Sequence, residues 1–153
     1  MELNGVPLHP LVVHAVVVLG PLAALTGLAY AAVPRWRWLL RWPLVVLAVV
    51  TAVASVVAVA AGEDLLASRP ELAPIVAEHE EDGELLRLWA IGYAVVSLLA
   101  AWALGGASAL ASGRGARETR FAVPVMALLA VGAIGLVVTV YLAGDSGATA
   151  VWG

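Results

Sequence analysis

The chain has no cysteine. Disulfides, thiolate metal centres, thiol catalysis and cysteine-ligated iron–sulfur clusters are therefore excluded. Charge is also scarce: 12% of the 153 residues are charged, about half the share in a typical soluble domain. There is no basic tail or basic patch, so nucleic acid is not an expected partner. A serine or threonine paired with a histidine is missing too, which leaves hydrolytic catalysis without a positioned base. The expectation is accordingly against an enzyme, with metal-assisted hydrolysis the one form left open. What fills the chain is apolar, at 63% hydrophobic residues and a mean hydropathy of +0.99. A core this small cannot hide that excess, so lipid is the expected solvent.

Four apolar runs stand out: Leu11–Val33, Pro43–Gly62, Leu85–Leu104 and Phe121–Ala143. Each is long enough to cross the hydrocarbon core as a helix. The alternation of a membrane β-barrel strand is absent. The expected fold is all-α, a single four-span membrane domain over residues 1–153, arranged as a four-helix bundle. The short leader Met1–Leu8 carries an acid and no base, and the run behind it is long for an h-region. A cleaved signal peptide is therefore not expected.

Charge partitions across these runs. Arg35, Arg37 and Arg41 follow the first run, and Arg114, Arg117 and Arg120 follow the third, against one acid there, Glu118. The middle connection, Glu63–Glu84, holds eight acids and one arginine, Arg69. Short arginine-rich loops stay cytoplasmic. Both termini and the 63–84 loop are thus expected outside, together with all three histidines and ten of the eleven acids. Trp36, Trp38 and Trp42 would form an inner interfacial belt, with Trp89 and Trp152 near the outer one.

Small residues recur at helical spacing: Gly20, Ala24, Gly27 and Ala31 in the first run, and Gly132, Gly135, Thr139 and Ala143 in the fourth. These stripes predict close helix packing rather than a ligand site. Pro21 is expected to free a backbone carbonyl in the first helix. Thr51, Ser55 and Ser97 alone make a poor ion pathway, which weighs against a transporter.

The chemistry sits at the outer ends. His14 lies about one turn inside the first run, where an ionisable group is costly and tends to face the bundle. His9 precedes Pro10, a residue suited to the first helical position. Two helical residues at that spacing point about 140° apart, but a proline-led start could let both histidines face one point. If the third helix begins early, near Pro74, then His79, Gly83, Leu86, Ala90, Tyr93 and Ser97 share one stripe. His79 would then hang over the mouth of the bundle. Gly62-Glu63-Asp64 and Gly144-Asp145-Ser146-Gly147 end the second and fourth runs at that level. Imidazoles with carboxylates suit a divalent transition metal such as zinc, iron, nickel or copper(II). Two imidazoles suffice for haem b. The candidate cofactor ligands are His14 and His79, with His9 as a third ligand or gate. For a metal ion the set is His9, His14, His79, Asp64 and Asp145. The plain alternative is a neutral histidine bonded to a carbonyl or a carboxylate for His14, a solvated N-terminal residue for His9 and a solvated acidic loop for His79.

At His9-Pro10-Leu11-Val12-Val13-His14 the chain resembles the bacterial membrane family called domain of unknown function 2231, whose members open with HP-x-x-V-H. The likeness continues at Gly62-Glu63-Asp64, at His79-Glu80-Glu81-Asp82-Gly83-Glu84 and at Gly144-Asp145-Ser146-Gly147-Ala148 with Val151-Trp152. The resemblance implies four transmembrane helices and a multi-pass place in the bacterial inner (cytoplasmic) membrane. Many members carry Phe-Pro where this chain has Ala15-Val16, and a histidine where it has Asp145. Some relatives are fused to Rieske-type iron–sulfur domains, which implies an electron-transfer setting and a redox partner. Two functions are carried forward: a haem or metal protein, and a cofactor-free accessory subunit of a larger membrane complex. A homodimer is a further expectation, because four spans bury little surface against one another.

Overall fold

The computed structural model describes residues 2–3, 6–104 and 120–153. Four long helices make up almost all of it: α1 (Leu8–Ala32), α2 (Arg37–Ser68), α3 (Ala73–Leu104) and α4 (Ala122–Trp152). Each is long and apolar enough to cross a membrane. The strands β1 (Glu2–Leu3) and β2 (Val6–Pro7) pair antiparallel ahead of α1. This small ladder was not foreseen from the sequence.

Prolines sit where helices tolerate them. Pro10, Pro74 and Pro124 each fall in the first turn of a helix, where no backbone donor is needed. Pro34 and Pro70 open the single 3-10 turns that join α1 to α2 and α2 to α3. Pro21 and Pro43 lie inside helices.

The helices outrun the apolar segments. α2 continues through Gly62, Glu63 and Asp64 to Ser68, and α3 starts at Ala73. The acidic connection is therefore mostly α-helix, interrupted only by Arg69 and the 3-10 turn Pro70–Leu72. Nothing in Glu63–Ser68 breaks a helix, whereas Pro70 does. α4 likewise passes through the Gly144–Gly147 segment to Trp152. At 1.5 Å per residue α2 and α3 are each roughly 48 Å long, well beyond the roughly 30 Å hydrocarbon core. Of the arginine-rich connection at 107–120, only Arg120 lies within the described residues.

Each helix packs on two neighbours: α1 on α2 and α4, and α3 on α2 and α4. The small-residue stripes form the seams. Gly20, Ala24 and Gly27 are buried on α1, as are Gly132, Thr139 and Ala143 on α4. The α3 stripe holds as well, with Leu86, Ala90, Tyr93 and Ser97 all buried. Leucines and valines such as Val18, Leu25, Val53, Leu88 and Val131 face outward. This distribution suits lipid, where association depends on close backbone approach rather than on hiding apolar area.

Two tyrosines link α1 to α3 across the bundle. The Tyr93 hydroxyl donates to the Ala23 carbonyl at 2.9 Å, and Tyr30 donates to Ala100 at 3.5 Å. Tyr93 passes Gly27 so closely that a Cβ there would lie 2.0 Å from its hydroxyl. Trp89 fills the α3–α4 seam against Gly135, with its ring 2.3 Å from where a Cβ would be. It acts as a packing residue more than as a belt residue.

Arg37 is buried and closes the end of α1. Its Nε donates to the Tyr30 carbonyl at 3.1 Å and its terminal nitrogen to the Ala31 carbonyl at 3.3 Å. The same nitrogen lies 3.1 Å from Met126 Sδ on α4, and the guanidinium sits over the Tyr30 ring. The last carbonyls of a helix lack intrahelical donors, so a neighbouring arginine is a natural cap.

Candidate functional site at the acidic end of the bundle

His9 is the second residue of α1 and reaches across to α2. Its Nδ1 lies 2.8 Å from the Ala58 carbonyl oxygen. A carbonyl can only accept, so Nδ1 carries the hydrogen. In the neutral ring this leaves Nε2 with a free lone pair. Gly62 lets the ring lie close to α2, since a Cβ there would stand 3.2 Å from two of its atoms.

His79 comes from the second turn of α3. Its ring meets that of His9 edge to face, with centroids 5.7 Å apart and planes at 83°. His79 Nδ1 lies 3.5 Å from Ser146 Oγ on α4, and the ring also donates to the Ala143 carbonyl. Ser146 gives its own hydrogen to the Leu142 carbonyl at 3.0 Å, so its oxygen presents lone pairs. Gly147 completes the cradle, where a Cβ would lie 2.9 Å from His79 Cε1. The His9 imidazole is thus held by its Nδ1, and the His79 ring by Ser146 and the Ala143 carbonyl, each in a glycine-lined niche. Hydrogen-bonding one ring nitrogen to a carbonyl is how proteins commonly orient a ligating histidine.

His79 lies on the acidic extension of α3, ahead of the Leu85–Leu104 apolar run. Burial lowers its pKa below the ordinary histidine value, and the adjacent His9 lowers it further. The bond to Ala143 and the negative charge of Asp82 act in the opposite direction. Asp82 is three residues on from His79 and so falls on the same helical face. Glu84 and Arg87 form an ion pair one turn further along.

The other expected ligands are elsewhere. His14 is helical and exposed, with Nδ1 bonded to the Pro10 carbonyl of its own helix at 2.5 Å. α1 already begins at Leu8, so His9 and His14 both obey helical geometry and point apart. The proline-led start does not bring them together. Asp64 is exposed on α2, and Asp145 is exposed on α4, where it lines a groove against α1. Among the described residues no group of three or more His, Asp or Glu side chains is gathered to hold a metal ion. The structure therefore brings His9 and His79 together, and leaves His14, Asp64 and Asp145 outside the pair.

Sequence reasoning overlooked Ser146, Ala58 and Asp82 as neighbours of the pair. A signal existed for two of them. Ser146 extends the Thr139–Ala143 stripe by three residues, and Asp82 is spaced by three from His79. Ala58 acts through its backbone, which leaves no mark in a sequence.

The family model described as "Predicted membrane protein (DUF2231)" matches residues 5–153. The chain belongs to this family. No curated protein and no solved structure matches it. Within this DUF2231 chain both histidines of the HP-x-x-V-H opening lie on α1, yet one faces the bundle and the other faces out.

Proposed function

We propose that this protein sits in the bacterial inner membrane with both termini and the α2–α3 turn outside, and that it holds a divalent transition metal between His9 and His79. The observation that carries the reading is the pair itself. Two imidazoles from different helices meet at 5.7 Å, and the His9 Nδ1–Ala58 bond leaves the His9 Nε2 lone pair as a free donor. Neutral imidazoles suit zinc, nickel and copper(II). Copper or iron would serve the electron-transfer setting that the fused relatives imply. Water is expected to complete the shell around the two imidazoles. Close packing of Gly62 and Gly147 on the two rings favours a single ion over haem b, which would need a slot between them.

A cofactor-free role in a larger membrane complex is favoured by a different fact. The hydrogen bonds to Ala58, Ala143 and Ser146 already tie α1 to α2 and α3 to α4, so the pair can act as an interhelical clamp.

Elemental analysis and an optical spectrum on one purified sample separate these readings. The metal reading expects near-stoichiometric metal that is lost in His9→Ala and in His79→Ala but kept in His14→Ala. A Soret band lost in His79→Ala would move the assignment to haem. Absence of both signals after growth with added metals, with a larger complex co-purifying, would replace the metal reading by the accessory subunit.

A further inference from the structure

Asp145 is the acid that the histidine pair leaves unused. It lines a groove of about 470 Å³ between α1 and α4, whose walls include Val17, Pro21, Val137 and Val140. The groove opens outward beside exposed apolar residues such as Val18 and Val138, so in a bilayer it opens on lipid. From Val137 to Ala148 it follows α4 for roughly 16 Å. Asp145 stands at the acidic end of this groove, just beyond the last residue of the apolar run, Ala143.

Two acceptors on residues that line the groove lack matching donors. Among the described residues Asp145 has no hydrogen-bond or ion-pair partner. Pro21 has no backbone N–H, so the Val17 carbonyl lacks its usual helical donor. Neither the arginines nor the histidines line the groove. An occupant that complements the groove brings a positive charge and N–H donors at the Asp145 end and an apolar chain below it.

We propose that this groove is a binding site for a phospholipid with a primary-amine headgroup. Its ammonium engages Asp145 and one acyl chain lies along Val17, Pro21, Val137 and Val140. A choline head brings the charge without N–H donors, and a glycerol head brings an anionic lipid to an acid. The site therefore discriminates by headgroup. It is independent of the metal reading.

The test is native mass spectrometry of the full chain after equilibration with an equimolar mixture of phosphatidylethanolamine, phosphatidylcholine and phosphatidylglycerol of matched acyl chains. The expected result is about threefold to fivefold more retained phosphatidylethanolamine than either competitor, the size of one interfacial ion pair. Asp145→Asn should level the three. Gly144→Leu should lower retention of all of them, since a Cβ at Gly144 meets no atom within 4 Å and the side chain can fill the groove without a clash. Equal retention by the wild-type chain overturns the proposal. So does a preference that survives Asp145→Asn, or lipid retention unchanged in Gly144→Leu. His79→Ala should leave the lipid ratios as they are, so failure of the metal site and failure of the groove are distinguishable.

Discussion

At the residue scale the site depends on what glycine leaves out. Gly147 admits the His79 ring, and a methyl group there would come within 2.9 Å of Cε1. The ring is bounded on its other sides by His9 and by the α4 backbone, so it would have to turn. Gly147→Ala is expected to weaken metal binding about tenfold or more, the usual effect of disturbing the partners of a ligand, while the bundle stays folded. A metal titration that matched the wild-type chain would show that the His79 ring has no part in binding. A harsher case is Gly27→Ala, which drives a methyl into the Tyr93 hydroxyl. Tyr93 is only 1% exposed and has nowhere to move, so the substitution should cost about 1–3 kcal/mol in a detergent melt. The stripe containing Gly27 was visible in the sequence as small-residue spacing, and Gly147 only as part of the glycine-bounded segment that ends the fourth run. Their particular partners were not, because a large residue on another helix chooses which glycine it packs against.

At the element scale, local chemistry explains where helices stop and tertiary contact explains how far they stay ordered. The four apolar runs correspond to four long helices, yet α2 and α4 pass straight through Gly62 and Gly144. Glycine at a helix end is permissive rather than terminating, and at Gly62 the His9 ring packs against the bare backbone. Pro34 and Pro70 terminate because they cannot continue the backbone ladder. Arg37 illustrates a role that composition hid. Read from the sequence it was one of three arginines setting orientation; in the fold it caps α1 and reaches α4. Arg37→Gln should destabilise the bundle by about 1–3 kcal/mol through the lost charged bonds to the Tyr30 and Ala31 carbonyls. Arg41→Gln is the control and should cost less, since no hydrogen bond ties Arg41 to another helix among the described residues. Equal losses in thermal melts of the two variants would argue against capping.

At the scale of the whole molecule two properties can be measured directly. Orientation is the first. The chain has no cysteine, so single cysteines report without background. On the proposed orientation Ser68→Cys in intact cells should react with a membrane-impermeant maleimide, and Ala32→Cys only after lysis. The reverse pattern would invert the molecule. The second property is stability against pH. Burial lowers the His79 pKa in the fold, so below the ordinary value near 6.5 the unfolded chain binds the extra proton first. In the metal-free protein, stability from this group is complete above about pH 6.5. It declines as the pH falls from there toward the depressed folded value, and levels off below it. His79→Asn should flatten that stretch of the melting curve. An unchanged slope would place the titration elsewhere.

Hydropathy, charge and spacing were enough for the number of helices, the faces they bury and the end at which the histidines gather. These are local properties: an apolar run must lie in lipid, and small residues at helical spacing must share a side. Which histidines meet was a different matter. His9 and His14 share a motif, and both looked able to serve the same centre. The rotation of α1 about its axis, set where Gly20 and Gly27 pack against Val140 and Tyr93, turned one toward His79 and the other outward. Asp145 and Ser146 are neighbours in sequence, and the same rotation rule on α4 sent the serine to the histidine pair and the aspartate to the groove. Adjacent residues on a helix lie about 100° apart, so only the packing of the other helices decides which of two neighbours enters a site.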